Sequence, residues 1–248
     1  MSQPTDILEH LIYLGDLTEP CPYLADRVST LRFGNGLLAG DRYRTLLDLG
    51  YRRNGVYVYR PACRMCQECK ILRVPVAGLR MNKDQRRVWR RGQERFEVRL
   101  AVPQYTPEKA EMYERYLRFQ HGDTKTPVDE ERYTRFLVQT CLGGRTFELQ
   151  LWAGATLAGA GIVDRVGDAL STVYFYFDPA YAEYSPGTYS ALYEIDLARR
   201  WELTYYYFGY YIAGCASMRY KARFCPCEVK DLDSGHWRKI ARGPATGQ

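Results

Sequence analysis

Ser171-Thr172-Val173-Tyr174-Phe175-Tyr176-Phe177 and Thr204-Tyr205-Tyr206-Tyr207-Phe208-Gly209-Tyr210-Tyr211 are the two runs whose reading decides the fold. Each is an almost unbroken apolar and aromatic stretch, which suits a strand covered on both faces. The two strands are therefore expected at the centre of a sheet. Between them lie a loop (178–187) and a helical segment (188–201) that puts Ala191, Leu192, Ile195, Ala198 and Leu203 near one side. Glu194, Arg199, Arg200 and Glu202 are expected to point outward. A strand-loop-helix-strand unit of this length is a crossover connection, so the strands should run parallel if they share a sheet. Pro186, Gly187 and Thr188 then mark the helix start, where free backbone N–H groups face the cleft.

Working back from this unit, strands are expected at 146–152 and 157–166, an antiparallel meander that feeds the crossover. Helices are expected at 107–120 and 129–139. The whole reads as α+β, a mixed sheet of acetyltransferase-like type with flanking helices, over residues 81–248. A smaller cysteine-containing region occupies 1–80. Within it a helix is expected around 41–49, and Arg52-Arg53-Asn54-Gly55-Val56-Tyr57 reads as a hairpin centred on Asn-Gly.

The hairpin leads into Cys63-Arg64-Met65-Cys66-Gln67-Glu68-Cys69. With Cys21, these three thiols suffice for a tetrahedral zinc or an iron-sulfur cluster; free thiols packing a small knuckle are the other reading. There are eight cysteines in 248 residues. No secretory signal is visible in Met1 to His10, so reduced thiols or a metal are expected before disulfides, and a cytoplasmic location with them. No run approaches the roughly 20 apolar residues that span a bilayer.

Net charge is only +6, but its distribution is uneven. From Arg80 to Arg99 there are eight basic residues and three acidic ones. On a helical wheel Lys83, Arg86, Arg87, Arg90 and Arg91 share a face, away from Val88 and Trp89. Such a strip is either a plain solvated face or a seat for a nucleic-acid backbone. His121, beside Gly122, is a candidate base and equally a helix C-terminal residue.

Taken together, Cys21-x-Tyr23-Leu24-x-Asp26-Arg27, Tyr51-Arg52-Arg53-x-Gly55, Tyr59-Arg60-Pro61 before the three cysteines, Asp84-Gln85-Arg86-Arg87, Phe175-Tyr176-x-x-Pro179, Gly187-Thr188-Tyr189, Gly209-Tyr210-Tyr211-Ile212 and Met218-x-Tyr220-Lys221-x-Arg223-Phe224 occur in one order. In these blocks the chain resembles the short bacterial branch of the arginyl-tRNA-protein transferase family. The resemblance implies transfer of leucine from leucyl-tRNA to the N-terminal amine of proteins that begin with Asp or Glu, marking them for degradation. Arginine is the alternative cargo, because longer relatives carry it. It also implies an acetyltransferase-like catalytic region, with no cofactor required for transfer. Leu24 stands where the longer relatives carry a second cysteine, and Cys225-Pro226-Cys227 replaces a basic residue after Phe224.

On that footing Tyr189, Tyr210, Lys221 and Arg223 are the expected catalytic residues, the phenols to assist an oxyanion and the cations to hold a carboxylate or phosphate. Arg52, Arg53, Gln85, Arg86, Arg87, Arg90, Arg91 and His121 are the expected contacts to tRNA or acceptor. Two rival readings remain. One is an acyl-CoA-dependent N-acetyltransferase, for which Tyr184-Ser185-Pro186-Gly187-Thr188 is a poor pyrophosphate loop. The other is a noncatalytic nucleic-acid-binding module, which leaves the aromatic sheet unexplained.

Overall fold

The computed structural model describes residues 11–35, 42–122 and 127–240. The expected mixed α+β sheet with flanking helices is present. In chain order the elements are β1 (Tyr13–Pro20), β2 (Val28–Asn35), α1 (Tyr43–Asp48), β3 (Arg52–Asn54), β4 (Tyr57–Pro61), β5 (Lys70–Pro75), α2 (Lys83–Arg95), β6 (Glu97–Ala101), α3 (Pro107–His121) and α4 (Glu130–Tyr133). There follow β7 (Thr146–Ala153), β8 (Thr156–Val166), β9 (Ala169–Phe177), α5 (Pro186–Arg200), β10 (Tyr205–Tyr211), α6 (Ala216–Arg219), β11 (Cys227–Lys230) and β12 (Trp237–Ile240).

Among the described residues the strands form two sheets. One has four strands in the order β1-β2-β4-β3; the other has eight, in the order β12-β11-β5-β10-β9-β8-β7-β6. The two tyrosine-rich strands are its middle pair and run parallel, while their other neighbours are antiparallel. β5 lies between β11 and β10, so chain from before residue 80 shares this sheet with chain from after it.

Local chemistry sets several boundaries. α2 opens with a capping box: the Gln85 N–H donates to Asn82 Oδ1 at 2.8 Å and the Asn82 N–H to Gln85 Oε1 at 3.0 Å. α3 starts at Thr106-Pro107 and stops at Gly122, which takes the left-handed conformation that glycine tolerates. In the β3–β4 hairpin Asn54 pairs with Tyr57, so the loop is Gly55-Val56 and the turn sits one residue beyond the expected Asn-Gly. The helix expected at 129–139 is one α turn that widens into a π turn over Thr134–Val138.

Three apolar clusters clamp the large sheet. α2 and α5 cover one face, with Tyr189, Leu192 and Ile195 packed against Phe208 of β10; α1 and the hairpin cover part of the other, with Tyr43, Leu47 and Val58 packed against Tyr210 of β10. α3 and α4 complete it over Ile162 and Tyr176. Burying side chains of this size contributes roughly 1.5–3 kcal/mol each. No helix among the described residues is long and apolar enough to cross a membrane.

Candidate active site where two strands part

β9 and β10 pair at only three positions, Ala169 with Tyr205, Leu170 with Tyr206 and Ser171 with Tyr207. Beyond them β9 stays bonded to β8 and β10 to β5, so the sheet splits down its middle. Each strand carries a bulge just past the parting. Val173 is the extra residue on β9 and Phe208 the extra one on β10. A bulge adds local twist and bends its strand, which is a physical cause for the separation.

Two ionisable side chains, Arg52 and Lys221, meet at this opening, and a third, Glu194, lies by the Tyr206 hydroxyl of β10. Arg52, from β3, donates from Nη1 to Ser171 Oγ at 2.8 Å and from Nη2 to the Thr172 carbonyl. Its guanidinium lies against Gly209, where a Cβ would sit 3.1 Å from Cζ. Gly209 has φ +83, so both the room and the backbone conformation there call for glycine. Lys221 donates from Nζ to the Tyr210 carbonyl at 2.6 Å. Burial, and then the Arg52 charge, push its pKa down to about 7. Glu194, on α5, accepts from the Ser190 hydroxyl at 2.7 Å and the Tyr206 hydroxyl at 2.9 Å. Burial pushes its carboxyl up to about 7 against those bonds.

Glu194 corrects the sequence reading. It points into the sheet, 1 % exposed. The helical phase carried the signal: at 100° per residue Glu194 falls roughly 40° from Ala198, inside the apolar arc. Tyr206, Ser171 and Thr172 carry no such signal, because nothing in a strand run marks which hydroxyl faces a charge. Tyr220 lies within electrostatic reach of Glu194 and of Tyr116 on α3.

The expected site residues divide among several places. The Tyr210 phenol donates to the Gly50 carbonyl at 2.8 Å, so only its backbone faces Lys221. Tyr189 sits in the α2–α5 interface, its ring 5.7 Å from Trp89 and 5.8 Å from Phe96. A Cβ on Gly92 would come within 2.2 Å of that ring. Arg223 is exposed, and its carbonyl accepts from Gln85 Nε2 at 3.2 Å. The Gln85 amide is thus divided between the α2 cap and this contact. Arg53 forms a buried two-pronged pair with Asp164 at 2.7 and 2.8 Å. His121 ends α3, exposed, with its ring 6.1 Å from Tyr116.

Of the α2 cations, Arg91 turns to Glu183 at 3.2 Å and lies over the Tyr184 ring. Arg86 donates to the Met81 carbonyl, and Arg87 meets Asp84 only at 3.8 Å. Lys83, Arg86, Arg87 and Arg90 are exposed along the helix. A concavity of about 480 Å³ is lined by Tyr57, Tyr113, Phe136, Arg132 and Arg135 among others. Tyr113 and Phe136 both pack their rings on Tyr174 of β9, at 5.7 and 5.1 Å.

Cys21, Cys63, Cys66 and Cys69 line one smaller pocket, of about 180 Å³. Burial, and then Cys63, Cys21 and Cys66, push the Cys69 thiol up to about 12. Arg27 donates to Cys66 Sγ at 3.2 Å and the Thr30 N–H to Cys63 Sγ at 3.3 Å. The donor set suits a thiophilic metal. Among the described residues, no three His, Cys, Asp or Glu side chains converge on one point.

Comparison with known proteins now bears on this geometry. The N-terminal description of arginine-tRNA-protein transferase matches residues 19–87, and its C-terminal description matches residues 108–231. The chain belongs to the arginine-tRNA-protein transferase family. It is 34 % identical to the aspartate/glutamate leucyltransferase of Acinetobacter baumannii, over 96 % of this chain and 88 % of that one. The enzyme of the same name from Chromobacterium violaceum is 34 % identical, over 90 % and 92 %. That from Marinobacter nauticus is 33 % identical, over 94 % and 98 %. Among solved structures, FemX is similar at 9 % identity and TM-score 0.41, covering 83 % of this chain and 81 % of its own. A GCN5-related N-acetyltransferase from Anabaena variabilis is similar at 13 % and 0.35, covering 67 % and 36 %. At that distance neither adds weight to a functional reading.

Proposed function

We propose that this protein is an aspartate/glutamate leucyltransferase, which moves leucine from leucyl-tRNA to the N-terminal amine of proteins beginning with Asp or Glu and so marks them for degradation in the cytoplasm. The observation that carries this reading is likeness over nearly the whole chain to enzymes of that name. The parted strands supply a matching place for acyl transfer.

An aminoacyl ester is already activated, so the enzyme must mainly bring amine and ester together. Such positioning supplies on the order of 7–11 kcal/mol in the best intramolecular cases. The amine lone pair attacks the ester carbonyl, the bond to the ribose oxygen breaks, and a proton passes from nitrogen to that oxygen. No covalent intermediate on the enzyme is needed. The amine must arrive neutral, and a carboxyl held near 7 can store its proton at working pH. Glu194, behind the Tyr206 hydroxyl, is that store in this reading.

The tRNA backbone lies along Lys83, Arg86, Arg87 and Arg90. The ring-lined concavity beside Tyr174 has the size of a ligand pocket, roughly 300–1,000 Å³, and takes the terminal adenine. Cys21, Cys63, Cys66 and Cys69 hold a zinc ion or an iron-sulfur cluster in a structural role, separate from the transfer chemistry. Stoichiometric zinc or iron in protein purified without oxygen, lost on Cys66→Ser, is expected; metal-free protein removes that part.

The decisive assay offers leucyl-tRNA, or acetyl-CoA in its place, to peptides that begin with Asp, Glu or Ala. Leucine should appear on the first two alone. Acetylation in place of leucylation would overturn the proposal in favour of a CoA-dependent acetyltransferase.

A further inference from the structure

Five cationic side chains are buried among the described residues: Arg52, Arg53, Arg73, Lys109 and Lys221. A buried charge is costly unless an opposite charge offsets it, and three of the five obey that rule. Arg53 pairs with Asp164 at 2.7 Å, Arg73 with Glu228 at 2.8 Å, and Lys109 with Glu148 at 2.6 Å. Arg52 and Lys221 bond only neutral oxygens, those of Ser171, Thr172 and Tyr210. They are also near neighbours, close enough for Arg52 to disfavour the charged form of Lys221. Two like charges placed together without a carboxylate form an incomplete set.

From this we infer that Arg52 and Lys221 together form the receptor for the side-chain carboxylate of the acceptor's first residue, and that this pair sets the preference for Asp and Glu over their amides. The inference rests on the leucyltransferase reading and names the part of that site which selects the acceptor.

The donor inventory fits. A guanidinium has five N–H donors and an ammonium three, and the structure uses two of the first and one of the second. Among the described residues the sealed side-chain polar atoms without a partner are Tyr43 Oη, Arg60 Nε and Glu148 Oε2. Arg52 Nε bonds nothing and is not among them, so it still meets solvent-accessible space. The position fits as well. The pair stands where β9 and β10 begin to part, and a carboxylate held there keeps the amine-bearing carbon of Asp or Glu only one or two methylene groups away, inside the opening. Gly209 keeps that side of Arg52 free of any side chain.

The test is calorimetric titration of the whole protein, without tRNA, with peptides that differ only in an N-terminal Asp or Asn. Wild-type protein should favour the Asp peptide, and Lys221→Met and Arg52→Gln should each cut that preference about 10- to 100-fold, the range of a charge-assisted hydrogen bond. Arg52→Lys should restore part of it, which a purely structural role would not do. Thermal unfolding identifies any variant that fails to fold; if Arg52→Gln does, Lys221→Met decides alone. A preference unchanged in a folded Lys221→Met, or absent from the wild type, overturns the inference. Failure of the broader reading looks different: Asp-selective binding that depends on the pair, with no leucine transferred.

Discussion

Glu194→Gln is expected to stabilise the protein by an amount that grows with pH. Burial holds the Glu194 carboxyl at about 7 in the fold, against 4.5 ordinarily. Between those values the folded chain keeps a proton that the unfolded chain has lost. Stability therefore falls as pH rises from 4.5 through 7 and stays low above it. At about 1.4 kcal/mol per tenfold change, the full loss is about 3 kcal/mol. Glutamine mimics the protonated acid at every pH. It keeps both partners too, because one of the Ser190 and Tyr206 hydroxyls can donate to the amide oxygen while the other accepts from its nitrogen. Urea denaturation should place the variant about 1 kcal/mol above wild type at pH 5 and about 3 kcal/mol above it at pH 8. The same variant should transfer leucine slowly, since its side chain takes up no proton. An equal gap at both pH values would refute the assignment of Glu194 as a buried acid with a raised pKa.

Removing the charges of Arg86 and Arg87 together should weaken tRNA binding and flatten its salt dependence by about 0.9 in log-log slope for each phosphate no longer neutralised; an unchanged slope would take the tRNA off α2. Arg53→Met should leave the buried Asp164 without its cation, bonded only to the Thr146 hydroxyl, and cost about 3–5 kcal/mol in chemical denaturation, whereas a loss of activity with full stability would place Arg53 in the chemistry. Gly92→Ala should lower the melting temperature, because its Cβ would meet the Tyr189 ring, and Tyr189→Phe should remain folded and active. Loss of transfer in a stable Tyr189→Phe would give that phenol a chemical role. The stability gap between Lys221→Met and wild type should narrow as pH rises from about 7 toward 10.5, the interval over which the unfolded lysine alone stays charged; a gap independent of pH would mean the lysine is not held neutral.

What the sequence discloses here follows the range of the interactions. β9, α5 and β10 are legible because a continuous aromatic run, a 3.6-residue period and a second run are local patterns. The α2 start is legible from Asn82 and Gln85, since a capping box closes over four residues. The parting of β9 from β10 is not. It depends on two bulges, and of the residues around them only Gly209 leaves a mark in the sequence. β11 and β12 are four residues each and pass as loop. The Tyr210 phenol looks like a site group until Gly50, 160 positions away in sequence, turns out to accept its proton. Arg52 and Arg53 are alike as letters. Alternation in β3 sends one to the strand opening and the other to Asp164, and only the packed sheet says which is which.

The most direct measurement is a crystal structure of the protein with a nonhydrolysable leucyl-amide analogue of the tRNA 3′ end and an Asp-led peptide. The account predicts the leucyl carbonyl between β9 and β10, the terminal base against Tyr113 and Phe136, and the Asp carboxylate on Arg52 and Lys221. A leucyl group lodged elsewhere, with the strand opening empty and Arg52 and Lys221 untouched, would contradict it.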